Sequence, residues 1–252
     1  MALPGVPRVP RLERFRSRWL ALIPALSIVA VIAAVELDSG SATALAWLAL
    51  IVVPPLAAVG LGFLVHGSRP AWTLAAPLLL ALAWASRDAL VGEAAAVVLT
   101  GMACVTLGWL LVSAVPAFWL RLGVYAMALI DAIYVSADLL QGPNAVLSGA
   151  VPGAGLPALQ AVHLGHAQMG FGDLFIAALV GCLLAADGPM RQGDLDASAR
   201  RQWVGAGLVA VLALAFDLLF FAVDELPSTV PVALALGLVQ SLKGLSRPSL
   251  TR

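Results

Sequence analysis

Nothing limits the fold of this chain more than its apolar runs. They recur at roughly 15–24 residues each, near the length that crosses about 30 Å of hydrocarbon. They are Trp19–Val35, Ala42–Val65, Ala71–Ala85, Ala94–Val115, Leu122–Leu140, Met169–Ala186, Trp203–Val223 and Thr229–Leu242. Only 11% of the 252 residues are charged, against about 25% in soluble domains. The expected fold is therefore all-α, a polytopic transmembrane helix bundle of about eight spans. Pro54-Pro55 should kink the second span, because proline removes helix hydrogen bonds.

Charge placement orients the bundle. Net charge is zero, but the basic residues are unevenly distributed. With the N-terminus inside, the inner segments hold Arg8, Arg11, Arg14, Arg16, Arg18, Arg69, Arg121, Arg191, Arg200, Arg201, Lys243, Arg247 and Arg252. Only Arg87 falls outside, so 13 of 14 basic residues obey the positive-inside rule. Outer turns carry Glu36, Asp38, Asp88, Glu93, Asp224 and Glu225. The arginine-rich start followed by Trp19–Val35 is similar to a signal peptide, but the run exceeds a typical signal core, and it reads as an uncleaved first span. These readings divide the chain into a basic cytoplasmic arm (1–18), an N-terminal four-helix membrane region (19–115), a C-terminal membrane region (117–242) and a cytoplasmic tail (243–252). A Gly/Pro-rich loop at 141–168 is expected to be external or re-entrant. A ninth span there would put Arg191, Arg200 and Arg201 outside, which the charge pattern rejects. The protein is expected to be integral to a prokaryotic cell membrane, with both termini cytoplasmic.

Against this apolar background, carboxylates stand out. Asp131, Asp138, Asp173 and Asp217 lie within or at the edge of the later spans. An ionised Asp in a bilayer costs about 2.5–3.5 kcal/mol, so each is a functional-site hypothesis by default. Asp173 follows Gly170-Phe171-Gly172, whose glycines let backbone, substrate or water approach closely. Asp131 sits near the middle of the preceding run. Asp138, two turns further along the same face, is the alternative partner for Asp173. Two carboxylates sharing one proton can divide the work of a general base and a general acid. Asp217 and the nearby Phe216, Phe220 and Phe221 read as interfacial and packing residues. Cys104 and Cys182 offer neither a disulfide framework nor a metal spacing, and His163 and His166 read as loop polar residues. No metal or cofactor is expected.

Gly170-Phe171-Gly172-Asp173-Leu174-Phe175 resembles the G-x-G-D motif of the GxGD intramembrane aspartyl proteases, the group of presenilin and signal peptide peptidase. Asp131-Ala132-Ile133-Tyr134-Val135 resembles the stretch after that family's first catalytic Asp, with Ile130 where the family has tyrosine. Pro227-Ser228-Thr229-Val230-Pro231-Val232-Ala233-Leu234 is similar in place to its P-A-L motif, with Val232 interrupting Pro231 and Ala233-Leu234. The order also matches: first-Asp helix, loop, G-x-G-D helix, one plain helix, then the Pro/Ala/Leu-opened helix. The resemblance covers Leu122 to Leu242 and implies a presenilin-like helix order in the C-terminal half.

It further implies an aspartic-type endopeptidase with Asp131 and Asp173 as its catalytic pair. Substrate contacts would come from Gly170, Phe171, Gly172, Pro231, Val232, Ala233 and Leu234. The substrate would be a transmembrane helix of a membrane protein, or a signal peptide, unwound to expose a carbonyl. Pro227 and Pro231 would keep the last motif irregular and free to pair with an extended substrate. The outward-facing aspartates resemble the signal peptide peptidase orientation and suggest type II substrates. Two alternatives stand beside this reading. Prepilin peptidases share G-x-G-D, but their motif continues to a lysine where this chain has Phe175, and their site faces the cytoplasm. A proton-coupled transporter could use Asp131, Asp173 and Asp217 as a relay, although the chain has no paired broken helices of the kind inverted repeats produce.

Overall fold

The computed structural model describes residues 17–22, 26, 29–33, 40–65, 68–137, 139, 141–153, 155–165, 167–186, 195–217 and 229–245. Within them the chain is mostly helical. Helix α1 (Gly40–Val59) runs through Pro54-Pro55 and passes into a π-helical segment, Gly60–Leu64. There it meets a later helix closely: a Cβ on Gly60 would lie 2.7 Å from the Met102 carbonyl oxygen. A 3₁₀ turn, Pro70–Leu74, leads into α2 (Ala75–Ala85). α3 (Leu90–Ala114) follows, then α4 (Ala117–Ser136) and the short α5 (Gln141–Gly149). Strands β1 (Ala161–Leu164) and β2 (Ala167–Gly170) form an antiparallel hairpin, and α6 (Phe171–Ala186) starts where β2 stops. α7 (Leu195–Asp217) and α8 (Thr229–Leu245) complete the described chain.

Among the described residues, three helical stretches are long and apolar enough to cross a membrane: Gly40–Leu64, Leu90–Ala114 and Ala117–Ser136. Four shorter apolar helices, Pro70–Ala85, Phe171–Ala186, Trp203–Ala215 and Thr229–Ser241, correspond to other runs in the sequence. Helices of both groups have apolar outer faces, with Leu78 of the shorter set 69% and Leu129 of the longer set 63% exposed. A surface of this kind suits a lipid environment.

The break between α3 and α4 comes from Val115-Pro116. A residue before proline is pushed out of the helical region, and Val115 is extended at φ −122° and ψ 139°. Pro116 then caps α4 with φ −60°. This places α4 about five residues earlier than the apolar run alone suggests. Asp131 consequently stands five residues from the end of its helix instead of near the middle.

The segment expected to be an irregular loop, 141–168, is more ordered than its glycines and prolines imply. It carries α5 and the hairpin, with pairs Ala161–Gly170, Val162–Met169, His163–Gln168 and Leu164–Ala167. Gly165 makes the turn at φ +62°, a left-handed conformation that glycine adopts at little cost. These strands are the departure from an all-α fold.

Among the described residues two large buried cores organise the bundle, and a small cluster of Ala42, Ala46 and Ala150 joins the start of α1 to the end of α5. One joins α1, α2 and α3 around Val53, Ala76, Leu99 and Ala103, and takes in Leu159 and Val162 of the hairpin region. The other joins α4, α6 and α8 around Leu120, Val124, Met127, Ile176, Leu183 and Leu236. α3 and α6 link them at close range, since a Cβ on Gly108 would come within 3.1 Å of the Leu179 backbone. Small residues that let helix backbones approach in this way favour association in a membrane, where apolar burial supplies little drive.

Candidate active site

The approach to Asp173 is built from the hairpin inward. The Glu93 carboxylate, in the first turn of α3, accepts the Gly165 N–H at 2.7 Å and holds the turn. At the root, the Phe171 N–H donates to the Gln160 carbonyl at 3.0 Å. The Gln160 side chain fastens this root to the end of α5, its Nε2 donating to the Leu147 and Ala150 carbonyls at 3.3 and 2.6 Å. Val162 and Leu159 are buried against the first core. The strand leading into the G-x-G-D sequence is thus pinned at both ends.

Asp173 is the third residue of α6. Its Oδ2 accepts the Gly170 N–H at 3.1 Å, reaching back to the residue that precedes the helix. This is the acidic half of a capping box, and a carboxylate in the first turn also meets the positive end of the helix dipole. Phe171 packs against the first core, whereas Gly172 is exposed and a Cβ there would meet no atom within 4 Å.

Asp131 projects from α4 to the start of α8. Its Oδ2 accepts two hydrogen bonds from Thr229, one from the backbone N–H at 3.1 Å and one from the hydroxyl at 2.7 Å. Thr229 is buried and opens α8. The first N–H groups of any helix lack intrahelical partners, and Pro231 contributes none, so Asp131 satisfies one of the few donors at this terminus. α4 and α8 run antiparallel: Asp131 meets Thr229, while a Cβ on Gly237 would lie 3.3 Å from the Tyr125 hydroxyl.

The two aspartates relate to one core. Asp131 follows Met127 and Ala128 by one helical turn, and Asp173 precedes Ile176 by about one turn. Thr229 precedes Val232 and Ala233 by the same spacing. All five apolar residues belong to the α4–α6–α8 core. Asp131 and Asp173 do not hydrogen-bond to each other; both bonds of Asp131 go to Thr229.

The segment similar to P-A-L departs from its expectation. From Thr229 onward it is helical, and Pro231 fits in the first turn because the N–H it lacks has no intrahelical acceptor there. Pro231, Val232 and Ala233 are buried and Leu234 is exposed, so only Leu234 of that set faces outward. Asp138, His166, Phe220, Phe221, Pro227 and Ser228 lie outside the described residues. Asp217 ends α7, and His163 lies on β1. Cys104 and Cys182 sit between α3 and α6, their thiols directed at the Phe171 and Val105 carbonyls at 3.9 and 3.6 Å.

Thr229, Glu93 and Gln160 were not singled out from the sequence. A clue existed for Thr229, since an Asp in an apolar helix needs a donor and a Ser-Thr pair opens the last apolar run. Comparisons with protein-family models, curated proteins and solved structures find no match.

Proposed function

We propose that this protein is an intramembrane aspartyl protease that hydrolyses a peptide bond within the transmembrane helix of another membrane protein or a signal peptide. Such a protease would be a bundle of about eight spans with cytoplasmic termini and a presenilin-like helix order. The observation that carries it is the relation of Asp131 and Asp173 to one core: each stands a single turn beyond its buried members, one from the C-terminal part of α4 and the other from the start of α6.

In this reaction one carboxylate takes a proton from water while the water oxygen bonds to the scissile carbonyl carbon. The other, protonated, polarises the carbonyl and then protonates the departing nitrogen as the C–N bond breaks. An unwound substrate must expose its carbonyl to this chemistry, and its freed backbone groups need partners inside the membrane. The hairpin ending at Gly170 supplies extended backbone beside Asp173, and the open space over Gly172 would accept a substrate strand. Substrate entering from the outer side would suit type II orientation.

Cleavage of a reporter transmembrane helix by the purified protein tests the reading. Asp131→Asn and Asp173→Asn are each expected to abolish product while leaving the protein folded. Full cleavage by either variant removes that residue from the pair, and Asp138→Asn run beside them decides which aspartate partners Asp173.

A further inference from the structure

Both Thr229 donors converge on a single oxygen of Asp131. With an N–H and an O–H directed at it, Oδ2 has no room for a proton of its own. Oδ1 accepts no hydrogen bond from the described residues. A carboxyl group held in this way handles protons through one oxygen only.

We propose that Thr229 is the positioning residue of the Asp131 carboxylate: it anchors Oδ2 to the start of α8 and leaves Oδ1 as the oxygen that exchanges a proton with water or substrate. This rests on the protease reading above and adds a residue to it. The anchoring fixes two things. The rotamer of Asp131 is set by an element other than its own helix, so the carboxylate cannot swing toward lipid or along α4. The orientation of the plane is set too, because N–H and hydroxyl approach from one residue at 3.1 and 2.7 Å. Asp131 thereby depends on the segment similar to P-A-L. In this geometry, the opening of α8 contributes to the chemistry through its first residue, while Val232 and Ala233 pack in the core beneath it.

A packing role and a positioning role give opposite orders for two substitutions at this buried site. Thr229→Val keeps the branched shape and the backbone donor but loses the hydroxyl. Thr229→Ser keeps the hydroxyl and loses a methyl group. Cleavage of a reporter helix is measured for the wild type, Asp131→Asn, Thr229→Val and Thr229→Ser, with active sites counted by titration with a tight-binding transition-state inhibitor. Thr229→Val is expected to lose roughly 10- to 100-fold in kcat per active site with KM unchanged, as small displacements of a catalytic group do. Thr229→Ser is expected to stay within about threefold of wild type. Thr229→Val cleaving at the wild-type rate while Asp131→Asn is inactive overturns the role of Thr229 and leaves the protease reading standing. Thr229→Ser as impaired as Thr229→Val, or more so, assigns the site to packing and also overturns it. A wild-type protein that cleaves nothing, or an Asp131→Asn variant that cleaves normally, removes both proposals together.

Discussion

The Glu93 carboxylate accepts the backbone N–H of Gly165 at 2.7 Å, joining the first turn of α3 to the turn of a hairpin 72 residues away in sequence. Because β2 runs directly into α6, that bond bears on the position of Asp173. The bond is solvent-exposed, so its net contribution is about 0.5–1.5 kcal/mol. Glu93→Ala should therefore raise amide exchange across 161–170 by roughly two- to tenfold with little change in the helices. Glu93→Gln, which keeps an acceptor oxygen, should fall between. Hydrogen exchange read by mass spectrometry checks this, and uniform protection in both variants would show that the hairpin holds itself.

Alanine is a poor choice for testing the aspartates, because both carboxylates also satisfy helix termini. Removing a capping side chain costs about 0.5–2 kcal/mol. Asp131→Ala would strand the Thr229 N–H and hydroxyl in a buried place, and Asp173→Ala would release the Gly170 N–H. Thermal unfolding in detergent should rank Asp131→Ala below Asp131→Asn. Equal midpoints would mean that water replaces the lost acceptor.

Glycines at two positions should respond in opposite ways. Gly108 faces the Leu179 backbone, where an added Cβ would stand 3.1 Å away with nothing flexible to yield. Gly108→Ala is expected to destabilise the α3–α6 contact by about 1–3 kcal/mol. Gly172→Ala meets open space and should leave the unfolding midpoint unchanged. If that space receives substrate, the same change lowers cleavage at least several-fold. Paired unfolding and activity assays separate the two effects.

Much of this architecture could be read from the runs of apolar residues, because a helix that crosses lipid has little choice of composition along its length. Several helix ends could be read too, since Ala85, Ala186 and Thr229 bound their helices where the runs put them, but the extent of α4 could not. α4 begins at Ala117 because Val115-Pro116 breaks the chain there, whereas Arg121 interrupts the apolar residues and moved the start of the run to Leu122. The hairpin was obscured for another reason. Its strands have four residues each, too few to establish an alternation, and they follow a stretch whose glycines at 153 and 155 take positive φ. Asp131 and Asp173 were visible as charges in apolar surroundings. The partner of Asp131 was not, because Thr229 is 98 residues away and is ordinary in composition.

In a bundle of eight spans, Pro70–Ala85 must cross the membrane although it is short. Five residues of 3₁₀-helix and eleven of α-helix together rise about 26 Å, slightly less than the hydrocarbon thickness of about 30 Å. Such a helix crosses only if its flanking side chains reach to the interfaces or the bilayer thins locally. Arg69 caps one end, Arg87 and Asp88 follow the other, and Trp72 and Trp84 are exposed near the two ends, as residues anchored at interfaces would be. In a background lacking Cys104 and Cys182, Asp88→Cys should react with a membrane-impermeant maleimide added outside intact cells. Arg69→Cys should react only after the membrane is opened. Labelling of both from one side would show that Pro70–Ala85 does not cross, and would reverse the assignment of every span on one side of it.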